Sequence, residues 1–87
     1  MSEAEDRLEH GSEFPYDGGK EFWEDDKKPS KAKDWAHAAA RGVLADLCDR
    51  RGVKHELDGI DYDVRKELTE SMAEIIRAAE NKRWAHG

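Results

Sequence analysis

Cysteine is almost absent from this chain. Cys48 is the only cysteine among 87 residues, which excludes an internal disulfide and favours a reducing compartment. The sequence also contains no Cys-x-x-Cys pair and no two histidines four residues apart, so the spacings typical of structural zinc sites are missing. Cys48 itself is interpreted as a small core side chain. We therefore expect neither a metal ion nor another cofactor.

Long apolar runs are missing as well. No stretch approaches the ~18 consecutive apolar residues of a membrane span, and the acidic N-terminus lacks the apolar core of a signal peptide. Charged residues make up 41% of the chain and hydrophobic residues 37%, a polar balance for a globular protein. This composition predicts one small cytoplasmic domain without a membrane partner.

The chain also lacks a surplus of positive charge. The formal net charge is −6, and residues 1–30 account for it with ten acids against four bases. Residues 50–55 hold the main basic cluster, which a position at a helix C-terminus already explains. Because a chain of this charge is repelled by phosphate, direct nucleic-acid binding is not expected. An acidic surface can instead imitate a phosphate backbone.

Apolar residues at helical spacing first appear from Trp35 to Leu47. Ser30 or Asp34 can cap the start of this helix, and Gly52 can end it in a left-handed conformation. Three consecutive alanines raise helix propensity and leave a thin surface that another helix can approach. The predicted buried face consists of Ala36, Ala40, Val43 and Leu47.

A second stretch with this spacing runs from Val64 to Ala79. Asp61 is a good N-cap, and the helix can end at Asn81 or continue to Trp84. Its outer rows include like charges, so its apolar face must hold it in place. That face consists of Val64, Leu68, Met72, Ile75 and Ala79.

Together the two stretches predict an all-α fold. Residues 30–80 are expected to form an antiparallel helical hairpin, with a flexible C-terminus at residues 81–87. Two such small apolar faces provide too little core for independent folding. The missing core is expected from the N-terminal segment or from a second copy, and a dimeric bundle is favoured.

Residues 1–29 are expected to be a largely disordered or loosely packed acidic segment, since they lack an apolar period. Ser2 and Glu5 form a capping box, which predicts a marginal helix over residues 3–10 with Gly11 as its stop. The segment also contains four aromatic rings, which are expected either to cover the hairpin or to form a linear recognition segment that folds on a partner. The four rings of this segment are Phe14, Tyr16, Phe22 and Trp23.

Acidic residues are aligned on the second helix. Glu67, Glu70 and Glu74 share its outer side, and with the four rings they are the predicted partner-binding residues. Glu67-x-x-Glu70 is also half of the pattern by which all-α nucleotide pyrophosphohydrolases hold magnesium. Asp46 and Asp49 offer a second pair with the same spacing. A metal-dependent nucleotide hydrolase is therefore an alternative hypothesis.

A carboxylate, a histidine and an arginine share one side of the first helix, at Asp34, His37 and Arg41. Such a group can orient a histidine for proton transfer. A solvated face with local charge pairs is the favoured interpretation. No Ser/His/Asp order or Gly-rich phosphate loop accompanies it, so catalysis is not expected.

Four stretches look like short reading frames common in phage and prophage genomes. They run from Trp35 to Leu47, from Asp49 to His55, from Ile60 to Arg65 and from Ile75 to Arg77. The resemblance implies a small accessory protein in the host cytoplasm. Proteins of that kind often act as stoichiometric inhibitors or adaptors of host machinery, anti-CRISPR proteins among them.

The leading hypothesis is a non-enzymatic module that binds a host or phage protein, through the helix pair, the aromatic segment or both. The metal-dependent hydrolase is the first alternative. A structural homo-oligomeric helical bundle is the second, because the small apolar faces favour self-association.

Overall fold

Five helices form the part of the chain that the computed structural model describes, residues 2–25 and 28–85. No strand occurs in these residues, and the all-α prediction is confirmed. Within the same ranges, no helix has the length and apolar composition that crossing a membrane requires. The helices are α1 (Glu3–Glu13), α2 (Lys20–Asp25), α3 (Trp35–Cys48), α4 (Val53–Asp58) and α5 (Tyr62–Ala85).

Helix α3 is the centre of the fold, because α1, α4 and α5 all pack against it. Its start is capped by Asp34, whose carboxylate accepts a hydrogen bond from the His37 backbone N–H at 2.8 Å. Of the two residues that the sequence allowed as the cap, Ser30 and Asp34, the structure therefore uses Asp34. Small side chains let α5 lie close to α3. This core consists of Ala36, Ala40 and Ala73, with Met72 and Ile76 packed beside them.

Helix α1 crosses α3 at a pair of glycines. A Cβ atom on Gly11 would lie 2.5 Å from the Arg41 carbonyl oxygen and 2.9 Å from the Gly42 nitrogen. The two helix backbones therefore touch, with no side chain between them. Gly11 does not end the helix as predicted, since α1 continues to Glu13. Gly11 instead allows the backbones of α1 and α3 to approach closely. The local sequence, which only indicated a possible helix end, does not predict this role.

The N-terminal segment, expected to be loose, adds a layer to the core. Ser2 caps α1 as predicted, because its Oγ accepts a hydrogen bond from the Glu5 backbone N–H at 3.1 Å. The Glu5 carboxylate accepts from the Ser2 hydroxyl at 3.3 Å. Arg7 on α1 donates to Asp49 at 2.6 Å, and Tyr16 is buried. The chain's own N-terminal third thus supplies packing that the two main helices lack. Residues 1, 26 and 27 of this segment lie outside the described residues.

The connection between α3 and α5 contains the short helix α4, which the sequence pattern did not indicate. Helix α3 ends at Cys48, so the basic cluster at residues 50–55 follows the helix, and Arg50 donates to Asp46 at 3.0 Å. Gly52 has a φ of 82°, a conformation that favours glycine. The arrangement is therefore α1, α4 and α5 packed on α3 instead of a hairpin alone.

Helix α5 begins directly after Asp61, as predicted, and continues to Ala85. Residues 81–85, expected to be part of a flexible C-terminus, are helical. Residues 86 and 87 lie outside the described residues. At 24 residues, α5 is about 36 Å long, against about 21 Å for α3. A large part of α5 therefore extends beyond the helix on which it packs.

Asp34 also joins α3 to α5, because the Arg77 guanidinium donates to its second carboxylate oxygen. The hydrogen bond from His37 N–H, and then the charge of Arg77, hold the pKa of Asp34 below its ordinary value of 3.8. A carboxyl whose pKa is lowered by folding stabilises the fold above its unfolded-state pKa. That contribution is lost as the pH falls through the folded-state value.

We therefore expect the free energy of unfolding to decrease below pH 3.8, and to decrease less in the Asp34→Asn variant. Asparagine retains the capping oxygen but carries no titrating charge. Urea unfolding followed by circular dichroism from about pH 2 to pH 6 measures both proteins across this transition. Parallel pH profiles for the two proteins would show that Asp34 has no such role.

Candidate functional site

A cleft of about 570 Å³ opens where α1, α2, α4 and the ends of α3 and α5 meet. We call it the aromatic cleft, because three of the four predicted rings line it. Its size is within the ~300–1,000 Å³ range of ligand-binding pockets. Its lining consists of His10, Phe14, Tyr16, Trp23, Ala45, Cys48, Asp49, Lys54, Asp58 and Arg65.

Tyr16 and Arg65 form the fixed inner part of the cleft. The Tyr16 hydroxyl donates to the Leu57 carbonyl at 2.6 Å, and the Arg65 guanidinium lies 4.9 Å from the centre of the Tyr16 ring. Arg65 also donates to the carbonyls of Ile60 at 2.9 Å and Asp58 at 2.7 Å. Burial raises the pKa of the Tyr16 hydroxyl, so it remains a neutral donor. These bonds tie the N-terminal segment to the α4–α5 connection.

Phe14 and Trp23 form the solvent-facing edge of the cleft. The exposed fractions of their side chains are 48% and 39%. The His10 ring lies 5.2 Å from the Phe14 ring, and Phe22 meets Trp23 edge to face at 4.8 Å. Phe22 does not line the cleft and instead supports Trp23. The structure thus divides the four predicted rings into a buried anchor, a supporting ring and two rings available for contact.

Polar groups of both signs surround these rings. Lys54 lies on the lining with the carboxylates of Asp49 and Asp58. Burial, and then the nearby charge of Asp58, raise the pKa of the Cys48 thiol. A thiol with a raised pKa is protonated at neutral pH and is a poor nucleophile. The cleft therefore suits apolar contact with a charged rim better than covalent chemistry.

A second group of polar side chains is buried in the interior. Asp17, from the loop after α1, has a side chain only 7% exposed and lies between His37 and Arg41. Its carboxylate is 3.2 Å from His37 Nε2 and accepts from Arg41 Nε at 3.0 Å. Arg41 also donates to the Ser30 carbonyl at 2.8 Å. We call Asp17, His37 and Arg41 the buried polar cluster.

This cluster corrects the prediction of a solvated face. His37 and Arg41 are buried, and their acidic partner is Asp17 instead of Asp34. Both oxygens of Asp17 accept bonds from α3, and the cluster holds the loop after α1 against that helix. The sequence pattern did not indicate Asp17. Helical spacing shows which residues share a face of a helix, but it carries no information about which residue of a distant loop packs against that face.

The predicted acidic residues of α5 have different environments. Glu70 accepts a hydrogen bond from Lys33 at 2.9 Å, which lowers the pKa of its carboxyl. Glu67 and Glu74 are exposed, and no ion pair joins either of them to another described residue. Lys33 is itself exposed, so all three carboxylates lie at the surface.

The magnesium hypothesis finds no support in these positions. Arg7 lies 3.3 Å from Asp46 and 2.6 Å from Asp49, so both carboxylates are used in holding α1 on α3. Among residues 2–25 and 28–85, no group of three or more His, Cys, Asp or Glu side chains is placed to hold a metal ion. The second acid pair of the sequence hypothesis is thus explained by packing.

A scan against protein-family models and searches of curated proteins and of solved structures find no match for this chain. The resemblance to phage reading frames therefore stays a hypothesis. Function has to be inferred from the geometry and charge of the surfaces described above.

Proposed function

We propose that the chain is a small non-enzymatic protein-binding module, and that the aromatic cleft receives an apolar side chain of a partner protein. The observation that carries this proposal is the half-exposure of Phe14 and Trp23 beside a cleft of about 570 Å³. Large rings are normally buried more completely than this. Trp and other aromatic side chains contribute the largest energies to many protein interfaces.

The fixed inner part of the cleft supports the same proposal. Tyr16 and Arg65 hold the inner part of the cleft by hydrogen bonds, and Arg7 holds α1 beside Asp49. Side chains that are already in place lose little conformational entropy when a partner binds. The mixed charges of Lys54 and Asp58 suit the polar rim that surrounds an apolar interface core.

The setting we propose is that of a phage-type accessory protein acting in the host cytoplasm as a stoichiometric inhibitor or adaptor of host machinery. The support for it is the small size, the net charge of −6 and the resemblance to phage reading frames. An acidic protein of this kind can act at a basic surface of its target, as a mimic of nucleic acid does. A homodimer belongs to the same proposal, because partly exposed apolar residues remain on several helices.

The test compares the full-length protein with a Phe14→Ala/Trp23→Ala double variant. Trp35→Ala is the matched control, because Trp35 is 54% exposed and does not line the cleft. Each protein is immobilised and exposed to host-cell lysate, and the captured partner is then titrated in purified form. We expect saturable one-to-one binding, weakened in the double variant by about 30-fold or more, as losing a hot spot of ~2 kcal/mol requires.

The Trp35→Ala control is expected to bind like the wild type. Circular dichroism of all three proteins verifies that helix content is unchanged. If the double variant captures the same partner with the same affinity as the wild type, the aromatic cleft is not the binding site.

A further inference from the structure

A second surface, on α5, carries its own apolar stripe. Val64 and Ile75 are 41% and 67% exposed, and Leu68 between them is half-buried. With Ser71 and Ala78, these residues follow the alternating spacing of four and three that lines one side of a helix that pairs with another. We call this surface the α5 stripe.

The α5 stripe points away from the helix that α5 packs on. Arg65, Thr69 and Ala73 are the α5 residues described as buried, and at 100° per residue their side lies about two-fifths of a turn from the stripe. Val64 and Ile75, which the helical spacing predicted to hold α5 in place, are therefore outside the α3–α5 core, and that prediction is wrong for them. Ile75 is the most exposed of the large hydrophobic side chains whose burial the structure describes.

Carboxylates follow one edge of the stripe. Asp63, Glu67 and Glu74 are exposed, and none of them has an ion pair with another described residue. Glu70, in the same row, is bonded to Lys33. Lys66 and Arg77 lie on the far side of the acidic row, and Arg77 is already bound to Asp34. Lys82 lies one turn beyond Ala78, on the line of the stripe. Carboxylates without an ion pair to another described residue therefore occur at three positions along about 16 Å of helix.

This charge decides between the candidate occupants. In an antiparallel twofold contact between two copies, the acidic edge of one stripe lies beside that of the other, so Glu67 and Glu74 would face the same row. In a parallel twofold contact, Lys82, next on the line of the stripe, would face its own copy. Like charges in contact are unfavourable. A helix with an apolar stripe and basic flanks has the opposite charge and the same apolar spacing. Helix-in-groove recognition reads partners with this pattern.

We propose that the α5 stripe docks a basic amphipathic helix of a partner protein. Its apolar side chains contact Val64, Leu68 and Ile75, and its Lys or Arg side chains face Glu67 and Glu74. The inference rests on the proposed function in that both describe a protein-binding module. It uses a separate surface, so either can fail without the other.

The test uses two synthetic peptides that share a leucine stripe at helical spacing, one with lysines and the other with glutamates on the flanks. Fluorescence anisotropy measures the binding of each to the full-length protein. We expect saturable one-to-one binding of the basic peptide and at least tenfold weaker binding of the acidic one. The Glu67→Gln/Glu74→Gln variant should bind the basic peptide about tenfold more weakly, and its binding should depend less on salt concentration.

A second pair of variants separates apolar contact from charge. Val64→Ala/Ile75→Ala is expected to abolish binding of the basic peptide, whereas Phe14→Ala/Trp23→Ala leaves it unchanged. Because Val64 and Ile75 are substantially exposed, their truncation should leave the fold intact, which circular dichroism verifies. A peptide titration of the cleft variant thus tests the stripe independently of any partner that the cleft binds.

Three results would overturn the proposal. The first is no binding of the basic peptide, and the second is equal binding of both peptides. The third is a dimer of the wild type, seen by sedimentation over a dilution series, that Val64→Ala/Ile75→Ala dissociates, since a second copy would then cover the stripe. None of these results bears on the capture experiment that tests the aromatic cleft.

Discussion

Replacing Asp17 with alanine is expected to lower the free energy of unfolding by about 3–5 kcal/mol, the effect of removing one partner from a buried ion pair. The change leaves the Arg41 guanidinium buried with the Ser30 carbonyl as its remaining acceptor. It also removes the carboxylate beside His37. A domain of this size has a total stability of roughly 4–13 kcal/mol, so much of it depends on this one side chain.

Equilibrium unfolding in urea, followed by circular dichroism at neutral pH, measures the loss. Glu24→Ala is the matched control, because Glu24 is an exposed carboxylate 3.8 Å from Lys20, and such surface pairs contribute ~0–1 kcal/mol. Asp17→Asn keeps an acceptor oxygen without the charge, so its free energy of unfolding should lie between those of Asp17→Ala and Glu24→Ala. If Asp17→Ala is no less stable than Glu24→Ala, the buried polar cluster does not stabilise the fold.

Replacing Gly11 with alanine is expected to reduce stability by about 1–3 kcal/mol, the usual cost of overfilling a packed core. The new methyl group would lie 2.5 Å from the Arg41 carbonyl oxygen and 2.6 Å from its carbon. These are backbone atoms, so the clash can be relieved only if α1 moves away from α3. Alanine favours a helix over glycine by about 1 kcal/mol, so a net loss would show that the contact outweighs propensity.

Two other glycines give a graded comparison. A methyl group on Gly42 would lie 3.1 Å from the flexible Leu8 side chain, and one on Gly19 meets nothing within 4 Å. Gly42→Ala should therefore cost less than Gly11→Ala, and Gly19→Ala least of all. Hydrogen exchange reports whether α1 opens locally while α3 and α5 stay protected. Unchanged or increased stability of Gly11→Ala would contradict the close crossing.

Parts of the fold that depend on neighbouring residues could be predicted from the sequence. The all-α class, the Ser2 cap of α1 and the start of α5 after Asp61 each rest on residues within about four positions of one another, whereas Ser30 and Asp34 stayed alternatives for the cap of α3. Gly52 could be recognised as a break because its positive φ is a property of the residue itself.

The candidate site was predictable only in part. The four rings stood out as large apolar groups in an acidic segment, but their division between the interior and the surface did not. Tyr16 is buried because its hydroxyl finds the Leu57 carbonyl, 41 residues away. Arg65 was not predicted to line the cleft, since an arginine on a polar helix has no local sign of stacking on Tyr16.

By itself, the sequence determined the helical class, the Ser2 cap of α1 and the concentration of negative charge near the N-terminus, because these follow from the residues and their near neighbours. The tertiary structure alone decided that Gly11 meets α3, that Asp17 pairs with His37 and Arg41 across 20 and 24 residues, and that the N-terminal segment completes the core. The physical reason is that a buried charge or a bare backbone is stable only against a specific partner. Which distant residue becomes that partner depends on how the helices pack.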